Sequence, residues 1–95
     1  MRFTRPARRH RIATGRARYV LENPFVVIIQ PPDTDHPDPR VIVLGDDQRG
    51  LGLVVGGPVI NQELLIVHVQ PFTQDSRYRH LYELGKELQR WTQTL

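Results

Sequence analysis

The sequence contains no cysteine and no long apolar run. The first absence excludes a disulfide framework, a thiolate metal site and a cysteine nucleophile. The longest apolar run, Phe25 to Ile29, is far shorter than the ~20 residues that span a bilayer, and the N-terminus lacks the apolar segment of a signal peptide. We therefore expect a cytoplasmic protein that does not cross a membrane.

Lysine is scarce, and acidic residues are absent from the first part of the chain. Lys86 is the only lysine among thirteen basic residues, and seven arginines precede the first acidic residue, Glu22. Guanidinium groups suit the bidentate recognition of phosphate, so this cluster indicates a polyanion such as RNA. A basic tail in solvent or a docking surface for an acidic partner explains the charge equally well.

The length limits the architecture. Ninety-five residues form one domain, 1–95, with room for one sheet and one or two helices around a single core. A deep cleft between domains is excluded, so any binding surface lies on the outside of this unit.

The pattern along the chain predicts one helix followed by four strands. Thr14 is a candidate N-cap for a short helix that buries Ala17, Val20 and Leu21 and ends before Asn23-Pro24. Residues 31–39 contain four prolines and form a loop. The predicted strands are residues 25–30, 40–45, 51–55 and 63–70, with turns at 46–50 and at Gly56-Gly57-Pro58 to Asn61.

A second helix is predicted at the C-terminal end. Leucines and a tryptophan recur at steps of three and four, which is typical of a helix that buries one stripe, and Asp75 or Ser76 is a candidate cap. The stripe comprises Leu81, Leu84, Leu88, Trp91 and Leu95. It is longer than a small sheet can cover, so its end is expected to form a homodimer or to bind a partner protein.

These elements predict an α+β fold. We expect a two-layer sandwich in which an antiparallel four-stranded meander is flanked by a short N-terminal and a longer C-terminal helix. Residues Met1 to Thr4 either add an edge strand or fray. With both helices on one face of the sheet, the other face is open and is the expected position of a functional site.

The last predicted strand brings a histidine to that open face. Side chains alternate along a strand, so Leu65, Val67 and Val69 are expected on one face and Leu64, Ile66, His68 and Gln70 on the other. A lone histidine in a strand is more often structural than catalytic. The neighbours of His68 favour a functional role, because Gln70 shares its face and Arg77, Tyr78 and Arg79 follow shortly after.

This set is chemically sufficient to cleave RNA without a metal. The reaction needs a base for the 2′-hydroxyl proton, a cation for the phosphorane oxygens and an acid for the leaving 5′-oxygen. His68 is suited to proton transfer, and Arg77 or Arg79 to the phosphorane charge. Tyr78 either stacks on a base or packs the helix against the sheet.

Two further histidines are candidate site residues. His10 lies between Arg9 and Arg11, where it is either a proton acceptor beside an RNA backbone or a solvated surface residue. His36 lies among aspartates in the proline-rich loop, but without a second ligand-bearing segment this pattern is typical of a solvated turn. We therefore expect no metal and no cofactor.

Several short motifs resemble a known family. Phe3-Thr4, the run Arg9-His10-Arg11-Ile12 and Asn23-Pro24 occur in order, and an Arg-x-x-x-Leu-Gly strand begins at Arg40. The pattern is clearest in the run Leu65-Ile66-Val67-His68-Val69-Gln70-Pro71 and in Arg77-Tyr78-Arg79. Over residues 2 to 82 the chain resembles the BrnT ribonuclease toxins and the wider RelE-like group of small bacterial toxins.

The resemblance implies the toxin of a type II toxin–antitoxin pair. Such a protein cleaves RNA, either free or on the ribosome, and a cognate antitoxin neutralises it. Its active surface would include His10 or Arg9, Arg40, His68 and the Arg77 to Arg79 segment. Pro6 stands where related sequences often have histidine, which puts a catalytic role for that position in doubt.

Two hypotheses follow. In the first, the chain is a metal-independent endoribonuclease in which His68, His10, Arg77 and Arg79 are catalytic. The residues that bind RNA would be Arg9, Arg11, Arg40, Tyr78 and Gln70. In the second, the same basic patch belongs to a binding module without activity, which holds a nucleic acid or an acidic protein in a salt-dependent manner.

Overall fold

The computed structural model describes the backbone at residues 2–3, 11–72 and 77–94, and the side chains at 14–72 and 77–91. The described part of the chain forms six strands and two helices. In chain order they are β1 (Arg2–Phe3), α1 (Arg11–Glu22), β2 (Val26–Gln30), β3 (Arg40–Asp46), β4 (Gly52–Ile60), β5 (Glu63–Ile66), β6 (His68–Pro71) and α2 (Arg79–Thr94).

The strands form one sheet in the order β1-β5-β4-β3-β2, with β6 also paired to β4. All pairs are antiparallel except β1 with β5, which is parallel. The predicted α+β class is confirmed, with its antiparallel meander and a helix at each end. Residues 2–3 do add an edge strand, and β2 is the strand at the opposite edge.

Helix α1 begins earlier than predicted. It starts at Arg11, so Thr14 lies inside the helix and the capping role predicted for it is wrong. Arginine, isoleucine and alanine at 11–13 are compatible with helix, which allows the extra turn. The predicted end is confirmed, since Asn23 leaves the helix and donates its backbone N–H to the Tyr19 carbonyl at 2.9 Å.

Strand β4 is longer than predicted, because Gly56-Gly57-Pro58 is not a turn. The strand continues to Ile60, and the reversal occurs at Asn61 and Gln62, both of which adopt left-handed backbone angles (φ 53° and 65°). Ile60 pairs directly with Glu63, so the turn has two residues and the geometry typical of a tight hairpin.

A bulge interrupts the strand opposite β4. Val59 pairs with Leu64, but Val55 pairs with Val69, so the register shifts by one residue between β5 and β6. Val67 is the extra residue, and its N–H donates to the Gly56 carbonyl at 3.1 Å. Because of the bulge, the alternation of side chains predicted for 64–70 does not continue through Val67.

The two helices lie on opposite faces of the sheet. The core beneath α1 and the core beneath α2 share no residue. The buried residues on the α1 side are Ala17, Val20, Val43, Leu53, Val55 and Ile66. Those on the α2 side are Ile42, Leu44, Val54 and Phe72, with Tyr78 and Tyr82 packed against them. The expectation that both helices cover one face is therefore wrong.

Helix α2 does not bury the predicted stripe. It contacts the sheet through Tyr82, whose ring centroid lies 4.4 Å from that of Phe72, and through Gly85, where an added Cβ would lie 2.3 Å from Val26. The leucines and the tryptophan remain on the surface, with exposed fractions of 40% for Leu81, 51% for Leu84, 58% for Leu88 and 65% for Trp91. Leu95 lies outside the described residues, as do the candidate caps Asp75 and Ser76.

Candidate functional site

Three of the predicted site residues share one face of the sheet. His68 pairs with Gly56, which in turn pairs with Ile42, and Gln70 pairs with Val54. Arg40, on β3, pairs with Pro58 of β4. Since directly paired residues project to the same side, Arg40, His68 and Gln70 all lie on the α2-side face.

The bulge determines this placement. Upstream of it, Leu64 and Ile66 pack in the α1-side core, and downstream of it Val69 packs there as well. The predicted grouping of Val69 with Leu65 and Val67 opposite Leu64 and Ile66 is therefore wrong. The prediction that His68 and Gln70 lie on the opposite face from Val69 is correct, because all three residues follow the bulge.

Gly56 lets the strands that carry His68 and Ile42 approach closely. A Cβ atom at this position would lie 2.2 Å from the Val41 carbonyl oxygen and 3.1 Å from the Ile42 side chain, so no larger residue fits here. A strand glycine of this kind marks a close approach of neighbouring backbone. Arg40 and His68 lie on the two strands that flank β4, opposite Pro58 and Gly56.

The three polar side chains are half-buried and unpaired. Among the residues that the structure describes, Arg40, His68 and Gln70 make no side-chain hydrogen bond or ion pair. No fully buried polar atom in that part of the chain lacks a partner. The hydrogen-bonding groups of these three side chains are therefore available to water or to a ligand.

A cavity of about 330 Å³ opens beside Arg40. Its walls combine loop residues with apolar side chains of the sheet. They are Asp35, His36, Pro37, Asp38, Arg40, Pro58 and Val67. Val67 reaches this cavity because the bulge turns it out of the core, and it is 42% exposed.

An Asx turn orders the loop that forms one wall. Asp33 Oδ1 accepts hydrogen bonds from the N–H groups of Asp35 at 2.9 Å and His36 at 2.7 Å. The bond from His36 is the main cause that holds the pKa of Asp33 below its ordinary value. The Pro39 carbonyl accepts from Val59 N–H at 2.8 Å, which fastens the loop to β4.

The residues before and at the start of α2 have mixed environments. Tyr78 packs against the α2-side core, and the Arg77 guanidinium lies 5.4 Å from its ring centroid. Arg79 forms an ion pair with Glu83 at 3.5 Å, with both side chains 64% exposed. Such an exposed pair contributes little to stability, so Arg79 can leave Glu83 for another anion at little cost. The packing contacts of Tyr78 agree with the structural alternative raised for it.

The N-terminal candidates have no described side chains. Arg9 and His10 lie outside the described residues, and Arg11 is described only as the first backbone position of α1. Their distances from His68 therefore form no part of the described geometry. For the other candidates, the sheet places Arg40, His68 and Gln70 on one face, opposite Pro58, Gly56 and Val54 of β4.

Sequence reasoning missed a buried ion pair at the opposite end of the sheet. Asp47 is 2% exposed and accepts from Arg16 Nε at 2.5 Å, which joins α1 to the β3–β4 turn. Its other oxygen accepts the N–H groups of Arg49 and Leu51, both at 2.9 Å. The sequence predicts a turn over 46–50, and nothing in a turn pattern indicates an ion-pair partner 31 residues away.

Burial of the Asp47 carboxyl group opposes its ionisation. The backbone N–H of Leu51, the Arg16 guanidinium and the N–H of Arg49 together outweigh that effect and lower the pKa of Asp47 below its ordinary value of 3.8. The carboxylate is thus a structural anion, fully used by its partners.

A wider cleft of about 560 Å³ adjoins this ion pair. Tyr19, Phe25 and Asp46 are among its lining residues, but Asp46 is occupied by the Tyr82 hydroxyl, which donates to it, and by Lys86 Nζ at 3.2 Å. In the described ranges there is no group of three side chains that could hold a metal ion, and no helix long and apolar enough to cross a membrane.

Comparison with protein-family models, with curated proteins and with solved structures finds no match. What the fold defines is a small α+β protein with a helix on each face of an antiparallel sheet. Its function follows from the chemistry of its own side chains.

Proposed function

We propose that the protein binds RNA on the α2-side face of the sheet and cleaves it without a metal, as the ribonuclease toxin of a toxin–antitoxin pair does. The supporting observation is that Arg40, His68 and Gln70 lie on one face of the sheet, half-buried and unpaired within the described residues. A cognate antitoxin would silence the activity by covering this face.

Binding begins with the phosphates. The Arg40 guanidinium is a fork donor for a phosphate, and the arginines before Glu22 add long-range attraction for a polyanion. Gln70 can donate to or accept from a base or a 2′-hydroxyl. The adjacent cavity of about 330 Å³ has room for an unstacked base against Pro58 and Val67.

Cleavage requires the movement of two protons. The 2′-oxygen attacks the phosphorus atom and loses its proton to a base, the bond to the 5′-oxygen breaks, and the leaving oxygen takes a proton. His68 serves as one of these proton-transfer groups, since imidazole exchanges protons near neutral pH. Arg40 neutralises the phosphorane oxygens, and Arg77 and Arg79 add positive charge before and at the start of α2.

The test compares cleavage with binding on the same purified chain. With a labelled RNA and excess EDTA, His68→Ala is expected to reduce the cleavage rate at least about 100-fold while the affinity for RNA stays within about threefold. Arg40→Gln is expected to weaken binding and to lower the salt dependence of log K by about one phosphate contact. His80→Ala, an exposed histidine on α2, is the matched control and should behave as wild type.

Two outcomes would contradict the proposal. If His68→Ala combined with His10→Ala cleaves at the wild-type rate, His68 and His10 do not transfer the protons. If the wild type binds RNA in a salt-dependent way and never cleaves it, the face belongs to a binding module. In cells, expression of the wild type should arrest growth, and the product of a small neighbouring reading frame should relieve the arrest.

A further inference from the structure

One apolar stripe of α2 is largely exposed in the described structure. It consists of Leu81, Leu84, Leu88 and Trp91, whose exposed fractions rise along the helix from 40% to 65%. Single exposed leucines are common on protein surfaces, but four large apolar side chains in one line are not. The steps of three, four and three residues place all four on the same side of the helix.

This stripe is separate from the surface by which α2 docks on the sheet. Successive residues are about 100° apart around a helix. Relative to Gly85, which faces Val26, Leu88 lies about 60° and Trp91 about 120° around the helix. A second helix can therefore pack along the stripe while Tyr82 and Gly85 keep their contacts with the sheet.

The charges next to the stripe are neutralised within the helix. Arg79 pairs with Glu83 at 3.5 Å, and Arg90 pairs with Glu87 at 3.6 Å. These pairs leave no net charge beside the stripe that would attract a strongly charged partner. The same surface of a second copy carries the same balanced pairs, so the two surfaces can approach without net repulsion between like charges.

We propose that the stripe binds the same stripe of a second copy of this chain, so that two α2 helices pair about a two-fold axis. The 3-4-3 spacing is that of the apolar positions in a two-stranded coiled coil, in which each side chain fills a space between four residues of the facing helix. A self-complementary patch of this kind is what an isologous dimer requires. The inference is independent of the proposed cleavage of RNA.

The expected dimer is weak. Four half-exposed side chains offer less area than the about 800 Å² per partner of a standard stable interface. A dissociation constant on the order of 10 to 100 µM is therefore expected.

Sedimentation velocity over about 1 to 500 µM of the full chain tests the proposal. The wild type should shift from monomer to dimer across this range, because the concentrations bracket the expected dissociation constant. Leu88→Glu should remain monomeric throughout, with unchanged far-ultraviolet circular dichroism. Leu51→Glu changes a leucine that is 44% exposed in the β3–β4 connection, so it is the matched control and should dimerise as wild type does. If Leu88→Glu fails to fold, Leu84→Gln takes its place.

Cross-linking provides a second measurement. Because the chain has no cysteine, a single introduced thiol reports on one position. Glu87→Cys, beside the stripe, should form dimers with a short bismaleimide, whereas Arg49→Cys, in the exposed β3–β4 turn, should not exceed the level of random collision. A wild type that stays monomeric at every concentration overturns the proposal. A dimer abolished by Ile29→Lys and not by Leu88→Glu also overturns it, since that result would place the interface on β2.

Discussion

At the scale of single residues, Asp47 has the most demanding environment in the described structure. It is the one charged side chain that is buried there, and it satisfies three donors from α1 and from its own turn. Removing its charge would leave the Arg16 guanidinium, which is 26% exposed, without its carboxylate. Such a loss costs more than the pair itself contributes.

We therefore predict that Asp47→Asn lowers the free energy of unfolding by about 2 to 3 kcal/mol in urea denaturation. Asp33→Asn is the matched control, because Asp33 also accepts two backbone N–H groups but its side chain is 63% exposed. The control should change stability by less than about 0.5 kcal/mol. Equal effects of the two substitutions would show that burial of the Arg16–Asp47 pair is unimportant.

The same carboxylate makes stability depend on acid pH. Its pKa in the folded state lies below the ordinary value of 3.8, so the unfolded chain takes up the proton first as the pH falls. The stabilisation is complete above about pH 5 and is lost as the pH drops below 3.8 through the folded-state pKa. The difference in unfolding free energy between wild type and Asp47→Asn should therefore shrink in that range, and a constant difference down to pH 2 would contradict this assignment.

At the scale of elements, the sequence pattern located what depends on local composition. The predicted strands 25–30 and 40–45 are confirmed as β2 (Val26–Gln30) and β3 (Arg40–Asp46), and α1 ends before Asn23-Pro24 as predicted. These outcomes rest on propensity and on the missing proline N–H, which neighbouring residues alone determine. The prediction that His68 and Gln70 share a face is confirmed, because side chains alternate along β6, but their predicted grouping with Leu64 and Ile66 is wrong, because the bulge intervenes.

Two features could not be predicted because tertiary contacts decide them. The bulge at Val67 depends on the close approach of Gly57 to the Leu65 carbonyl. The alternation of hydrophobic residues in the sequence does not indicate that contact. Helix α2 turns Tyr82 toward the sheet, although its leucines form the more regular stripe. The Tyr82 hydroxyl donates to Asp46 at the end of β3, and a helical pattern contains no information about that acceptor.

The bulge leads to a prediction about two glycines. A Cβ on Gly57 would lie 1.9 Å from the Leu65 carbonyl oxygen, whereas one on Gly15 in α1 meets nothing within 4 Å. Gly57→Ala should destabilise the protein by about 2 to 3 kcal/mol. Gly15→Ala should stabilise it by about 0.5 to 1 kcal/mol, because alanine favours helix. Urea midpoints measure both, and a neutral Gly57→Ala would contradict the close approach at the bulge.

At the scale of the whole molecule, the sheet is shared by two cores. Neighbouring residues of the same strand, such as Val54 and Val55, lie in different cores. Loss of packing beneath one helix therefore loosens the strands on which the other helix rests. We expect one cooperative unfolding transition, as in most single domains of this size.

A substitution on the α1 side tests this coupling. Val20 is fully buried, so Val20→Ala should remove about 2 kcal/mol. The near-ultraviolet dichroism of Tyr78 and Tyr82, on the opposite face, should report the same lowered melting temperature as the far-ultraviolet signal. Ile29→Ala, at a position that is 71% exposed, is the control and should leave both nearly unchanged. Separate transitions in the two spectral regions would mean that the cores unfold independently.

The bulge at Val67 also has a genetic consequence. Because Val67 is one residue more than the regular pairing of β5 and β6 with β4 requires, the segment tolerates a change in its number of codons. Loss of the Val67 codon alone would restore a regular ladder and leave His68 and Gln70 on the α2-side face and Val69 in the α1-side core. The polar residues of this face would thus keep their positions after a deletion that removes the Val67 wall of the adjacent cavity.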